Sequence, residues 1–159
     1  MYPIQYSQRS RFVTVLAIVS LASAFFSLAQ NFSTLSMQSS SEFEIVQSLL
    51  PSGMIPATEV YFEILLNIAA LIVSVALFMR SRKGRIAYMI VLGIYAVWEL
   101  YSGISSYYRY NDLLAGMGFG KPLSLILFWS VIGMGMAVFI LWKLSTPEIK
   151  SEFENYSSD

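Results

Sequence analysis

Four long apolar runs leave this 159-residue chain little choice of architecture. They cover roughly residues 12–29, 60–79, 86–107 and 123–142, each close to the ~20 residues needed to cross a ~30 Å hydrocarbon core. The alternating ten-residue strands of a membrane barrel are missing, so spanning helices are the reading. Composition agrees, with 56% hydrophobic and 13% charged residues against about 25% charged in soluble domains. Lys+Arg and Asp+Glu number 10 each, so no basic excess points to nucleic acid. The chain has no Cys and no His. That removes disulfides, thiol redox chemistry, His-ligated haem, ordinary zinc sites and His-based acid–base catalysis. No cofactor or metal is implied, and no catalytic residues stand out.

Positive charge sets orientation. Arg9 and Arg11 precede the first run, Arg80, Arg82, Lys83 and Arg85 fill the link between the second and third, and Lys143 and Lys150 follow the fourth. Only Arg109 and Lys121 fall on the other side. The expectation is a single all-α domain over residues 1–159, a transmembrane antiparallel four-helix bundle with both termini cytoplasmic. A cleaved signal peptide ending at Ser27-Leu28-Ala29 is the alternative for the first run, which is long for that role.

The connections carry weaker signals. Ser41-Glu42-Phe43-Glu44 has the form of a capping box, and Phe43, Val46, Gln47 and Leu50 recur at helical spacing before Pro51. A short amphipathic helix in the first outer loop is expected, covering the ends of the spans. Gly116, Gly118 and Gly120 before Lys121 lack the strand and the Ser/Thr of a phosphate cradle, and read as a flexible approach to the last span. Thr146-Pro147-Glu148 predicts the start of a short helix through about Asn155. The acids Glu148, Glu152, Glu154 and Asp159 either meet the basic link or stay solvated, and solvation is the default.

Charge inside a span is costly and marks candidate sites. Glu63 lies one turn inside the second run, and Glu99 about 20 Å from the basic end of the third at 1.5 Å per residue. The tight link between these runs pairs them as a hairpin, placing Asn67 level with Glu99 and Glu63 level with Ser102. Glu59, Glu63, Asn67, Ala70 and Ser74 share one helical face, and Tyr88, Tyr95, Glu99, Ser102 and Ser106 share another. Ser20, Ser23 and Ser27 line a small-residue face of the first run, and Ser130, Gly133 and Ala137 one of the last, which lets helices approach closely. Ser23, Ser27 and Ser130 fall near the depth of Glu99. The expected cluster is Glu63, Asn67, Glu99, Ser102, Ser23, Ser27 and Ser130. It either locks the helices in register or binds a cation, proton or small polar solute. Tyr61, Tyr101, Tyr107, Tyr108 and Tyr110 mark one interface and Tyr88 with Trp142 the other, while Trp98 and Trp129 read as packing or lipid-facing bulk.

The stretches RFVTVLAIVSL, from Arg11, and ALFMRSRKGRIAYMIVLGI, across the basic link, resemble segments of small bacterial four-span inner-membrane proteins with no assigned activity. The resemblance covers about the first two-thirds of the chain. It implies a bacterial inner membrane and carries no catalytic residues across. The functional expectation is a non-catalytic integral membrane protein acting by association, as an accessory subunit, scaffold or regulator/immunity-type binder of another membrane protein or of itself. The competing class is a small transporter or channel component using the polar cluster around Glu99.

Overall fold

The apolar runs fold as helices because in hydrocarbon a helix satisfies every backbone N–H and C=O within one segment. The computed structural model describes residues 10–39, 56–116 and 124–155. Among the described residues it is wholly helical: α1 (Arg11–Gln38), α2 (Ala57–Phe78), α3 (Arg82–Gly116), α4 (Ser124–Leu144) and α5 (Pro147–Asn155). Three helices, α1, α2 and the Arg82–Arg109 stretch of α3, are long and apolar enough to cross a membrane. The pair α4 and α5, bent by 60° at their break, makes a fourth if taken as one span. By length and composition this is a membrane protein. The amphipathic helix expected near residues 42–50 and the glycine-rich loop at 117–123 lie outside the described residues.

Two helices overrun their apolar segments. α1 continues past Ala29 to Gln38, and α3 starts at Arg82 and continues past Tyr107 to Gly116. Hydropathy marks where polar residues begin, but Asn, Ser, Thr and Tyr do not by themselves stop a helix.

The helices pack in chain order: α1 on α2, α2 on α3, and α3 on α4. Among the described residues α1 and α4 share no extended backbone contact, and meet instead through side chains of the core at the basic end. Gly84 and Gly103 permit the close approaches. A Cβ on Gly84 would stand 2.7 Å from the Ala76 backbone of α2, and one on Gly103 would overlap Ser130 Oγ of α4. The small face of α4 is thus spent on α3 rather than left free.

The core gathers at the basic end. Val13, Leu16 and Ala17 of α1, Val73 and Leu77 of α2, Tyr88 of α3 and Leu144 of α4 close around Ile149 and Phe153 of α5. Phe153 is 0% exposed. Ile149, Glu152 and Phe153 fall at i, i+3 and i+4, so one face of this short helix is buried across the end of the bundle. Thr146 occupies the turn before α5, yet its hydroxyl donates to the Lys143 carbonyl of α4 at 2.8 Å instead of capping α5.

Candidate functional site

The basic link is built into the end of the fold. α2 terminates in a Schellman motif: Arg80 N–H donates to the Leu77 carbonyl at 3.0 Å and Ser81 N–H to the Ala76 carbonyl at 3.2 Å. The left-handed position of that motif usually holds glycine; here Arg80 fills it at φ 59°. Its side chain explains the choice. Arg80 is 4% exposed, with Nη1 3.1 Å from Glu152 Oε2 and Nη2 donating to the Ser10 carbonyl at 3.0 Å and Thr14 Oγ1 at 2.9 Å. Ser10 N–H donates in turn to Glu152 Oε1 at 3.1 Å. One carboxylate and one guanidinium therefore tie together the start of α1, the end of α2 and α5. Burial pushes the Glu152 carboxyl above its ordinary range, while Arg80 and the Ser10 amide pull it back.

Ser81 Oγ accepts the Gly84 N–H at 3.3 Å and so caps α3. Arg85 Nη1 donates at 2.8 Å to the carbonyl of Leu144, the last residue of α4, satisfying a helix-end acceptor with a cation. Both guanidiniums stand 5.9 Å from the Phe153 ring centroid, within cation–π range. Arg82 and Lys83 remain exposed. The default of solvated acids on α5 therefore fails for Glu152, whereas Glu148 is exposed and Glu154 makes only an exposed pair with Lys150 at 3.9 Å. Helical spacing from Ile149 to Phe153 was the available signal, since it puts Glu152 on the buried face.

The intramembrane residues divide into groups. Asn67 is 2% exposed and Ser74 fully buried on α2. Both line a cavity of about 230 Å³ with Ser20, Ser23, Ser27 and Ala24 of α1, Ala70 and Val73 of α2, and Tyr88, Leu92 and Tyr95 of α3, plus Ile140 of α4. Ser20 and Tyr88 share a hydroxyl–hydroxyl hydrogen bond of 2.6 Å across it. Ser23 is exposed at the rim and Ser27 half-buried.

Glu63 and Glu99 lie outside that lining. Glu63 accepts from Trp98 Nε1 at 3.4 Å, and Trp98 is wedged between Phe62 and Tyr101 at centroid distances of 4.3 and 5.3 Å. Glu99, two turns along α3 from the lining residue Leu92, is exposed. Its Cγ passes 3.8 Å from where a Cβ on Gly133 of α4 would stand. No hydrogen bond joins it to Asn67 among the described residues, although hairpin register put the two level. Ser102 is half-buried, and Ser130 is buried against Gly103 in the α3–α4 contact. At the end of the bundle away from the basic link, Arg109 bridges Glu59 and Ser105. Among the described residues no three acidic side chains gather as a metal site.

The cavity lining holds no nucleophile–base pair; it offers hydroxyls and an amide, and Glu99 is exposed outside it. Comparison with protein-family models, with curated proteins and with solved structures gives no match.

Proposed function

We propose that the chain is a non-catalytic integral membrane protein that acts by association, as an accessory subunit, scaffold or regulator of another membrane protein. In this reading its helices form an antiparallel four-span bundle in a bacterial inner membrane, with both termini cytoplasmic, and residues 1–159 act as one domain. The observation that carries it is Glu99, a carboxylate within a candidate span that is exposed rather than covered by a neighbouring helix. Carboxylates at that depth are held against protein or water rather than left to lipid. A polar side chain on an incoming helix meets that need.

Purification from native membranes in mild detergent tests this. A stoichiometric partner or second copy is expected, lost in Glu99→Leu and kept in Glu99→Gln, which still hydrogen-bonds. A lone monomer in the unsubstituted protein overturns it. For the topology, a periplasm-active reporter inserted near Ser39 should work and one fused after Asp159 should not. The second reading, a small transporter or channel component, draws on the short distance in sequence between Trp98, which holds Glu63, and Glu99. Proton or ion flux in liposomes that Glu99→Gln abolishes would put it first.

A further inference from the structure

Three polar features converge on the cavity between α1, α2 and α3. Asn67 is 2% exposed and is part of the lining. Ser74 is fully buried and its Oγ has no partner. In the Ser20–Tyr88 pair only one hydroxyl can donate to the other, so one O–H hydrogen is left over. A buried hydroxyl without a partner costs free energy comparable to a lost hydrogen bond. Such groups in a lipid-embedded bundle are normally turned onto a neighbouring helix.

We propose that this cavity is a binding site for an uncharged, lipid-soluble molecule bearing a hydroxyl or carbonyl oxygen, such as a simple phenol or alcohol. The size follows from the volume. An apolar cavity of about 150 Å³ takes benzene, so about 230 Å³ suits roughly ten heavy atoms. The charge follows from the lining, which contains no Asp, Glu, Lys or Arg. An anion would be stranded there without a counter-ion, with the Glu63 and Glu99 carboxylates acting on the lining residue Tyr95, and the lining offers no carboxylate to pair with a cation. The polarity follows from the three groups: the Asn67 amide donates and accepts, while Ser74 and the spare hydrogen of the Ser20–Tyr88 pair donate. A ligand hydroxyl or carbonyl answers them, and Ala24, Ala70, Val73, Leu92 and Ile140 receive the apolar body. Access is from the bilayer, past the exposed lining residue Ser23 of α1. The site concerns the chain alone and goes beyond the association reading.

The test uses the full chain in detergent with 1-naphthol, naphthalene and 1-naphthoate as probes, followed by ligand fluorescence and thermal melting. Saturable binding of 1-naphthol is expected, about fivefold or more tighter than naphthalene for one good hydrogen bond, with no saturable binding of the anion. Asn67→Leu keeps the side-chain size and removes the amide. If the amide serves a ligand, the empty variant melts at a higher temperature than the unsubstituted protein and the preference for 1-naphthol falls towards onefold. Ser74→Ala should move both readings the same way, by less. Ala70→Leu fills the cavity and should abolish binding of both neutral probes while unfolding stays cooperative. If that variant fails to fold, the Asn67→Leu comparison still decides. Absence of saturable 1-naphthol binding overturns the proposal, as does an Asn67→Leu protein that melts lower and keeps the preference.

Discussion

The basic end of this bundle and the cavity next to it treat their polar groups in opposite ways. At the basic end, Arg80 and Glu152 are buried together, Arg85 reaches the Leu144 carbonyl, and both guanidiniums stand against the Phe153 ring. In the cavity, Ser74 Oγ is buried without a partner near Asn67, and further along α3 Glu99 is exposed. The first pattern closes a fold; the second leaves capacity for something else. Charge count alone does not separate them, because each region holds both charged and polar residues. What separates them is whether a short helix, α5, lies across the groups.

The sharpest way to break the comparison is to remove one member of the buried pair. Arg80→Ala should cost about 3–5 kcal/mol, because it strands the Glu152 carboxylate, as read by chemical unfolding in detergent. Phe153→Ala should cost a similar amount, about 3–5 kcal/mol, by opening a cavity under both guanidiniums. Arg80→Gly separates backbone from side chain: it should lose about 1 kcal/mol less than Arg80→Ala, since glycine adopts φ 59° without a Cβ clash. Equal losses would mean the left-handed turn carries no strain.

The glycines give a smaller contrast within the spans. Gly84→Ala and Gly103→Ala should each cost about 1–3 kcal/mol by forcing packed helices apart, the first against the Ala76 backbone and the second against Ser130. A Cβ on Gly93 or Gly135 meets nothing within 4 Å. Alanine there should leave stability unchanged or raise it, by up to about 1 kcal/mol from helix propensity. Thermal melts of the four variants in one detergent check the ranking, and a loss at Gly93 as large as at Gly84 would contradict the packing order.

These contrasts also mark how far the sequence could be read. Helical class and the positions of the apolar segments follow from hydropathy, because lipid forces backbone hydrogen bonds inward. Helix ends do not follow: α3 takes in Arg82 and Lys83, whose polarity says interface but whose backbone continues the turn. Asn67, Ser23 and Ser27 were found on shared faces by spacing, and the same faces line the cavity. Glu99 was placed level with Asn67 by hairpin register, which fixes depth but not the side of the helix that a neighbour covers. That depends on how the neighbouring helices pack, a property of the whole bundle that no local spacing encodes. Glu152 went the other way. A charged residue in a short tail is solvated by default, and only a tertiary partner such as Arg80, far away in sequence, reverses that.

The smallest expected effect concerns protons at the basic end. Burial holds the folded Glu152 carboxyl above its ordinary value near 4.5, with Arg80 and the Ser10 amide opposing. A carboxyl whose folded value is raised binds protons more readily in the docked state than in the released one. Its contribution is therefore fully present below the ordinary value and is lost as pH rises through the raised folded value. Docking of α5 should tighten modestly, not loosen, on acidification from neutral pH into that window. Protonated Glu152 gives up its charge but keeps an oxygen to accept from Arg80, which also retains its bonds to Ser10 and Thr14. Protease cleavage after Lys150, followed against pH, reads this directly, because the bond is protected while α5 is docked. Glu152→Gln should flatten the profile. Faster cleavage at acid pH in the unsubstituted protein would show that attraction to Arg80 outweighs burial at this carboxyl.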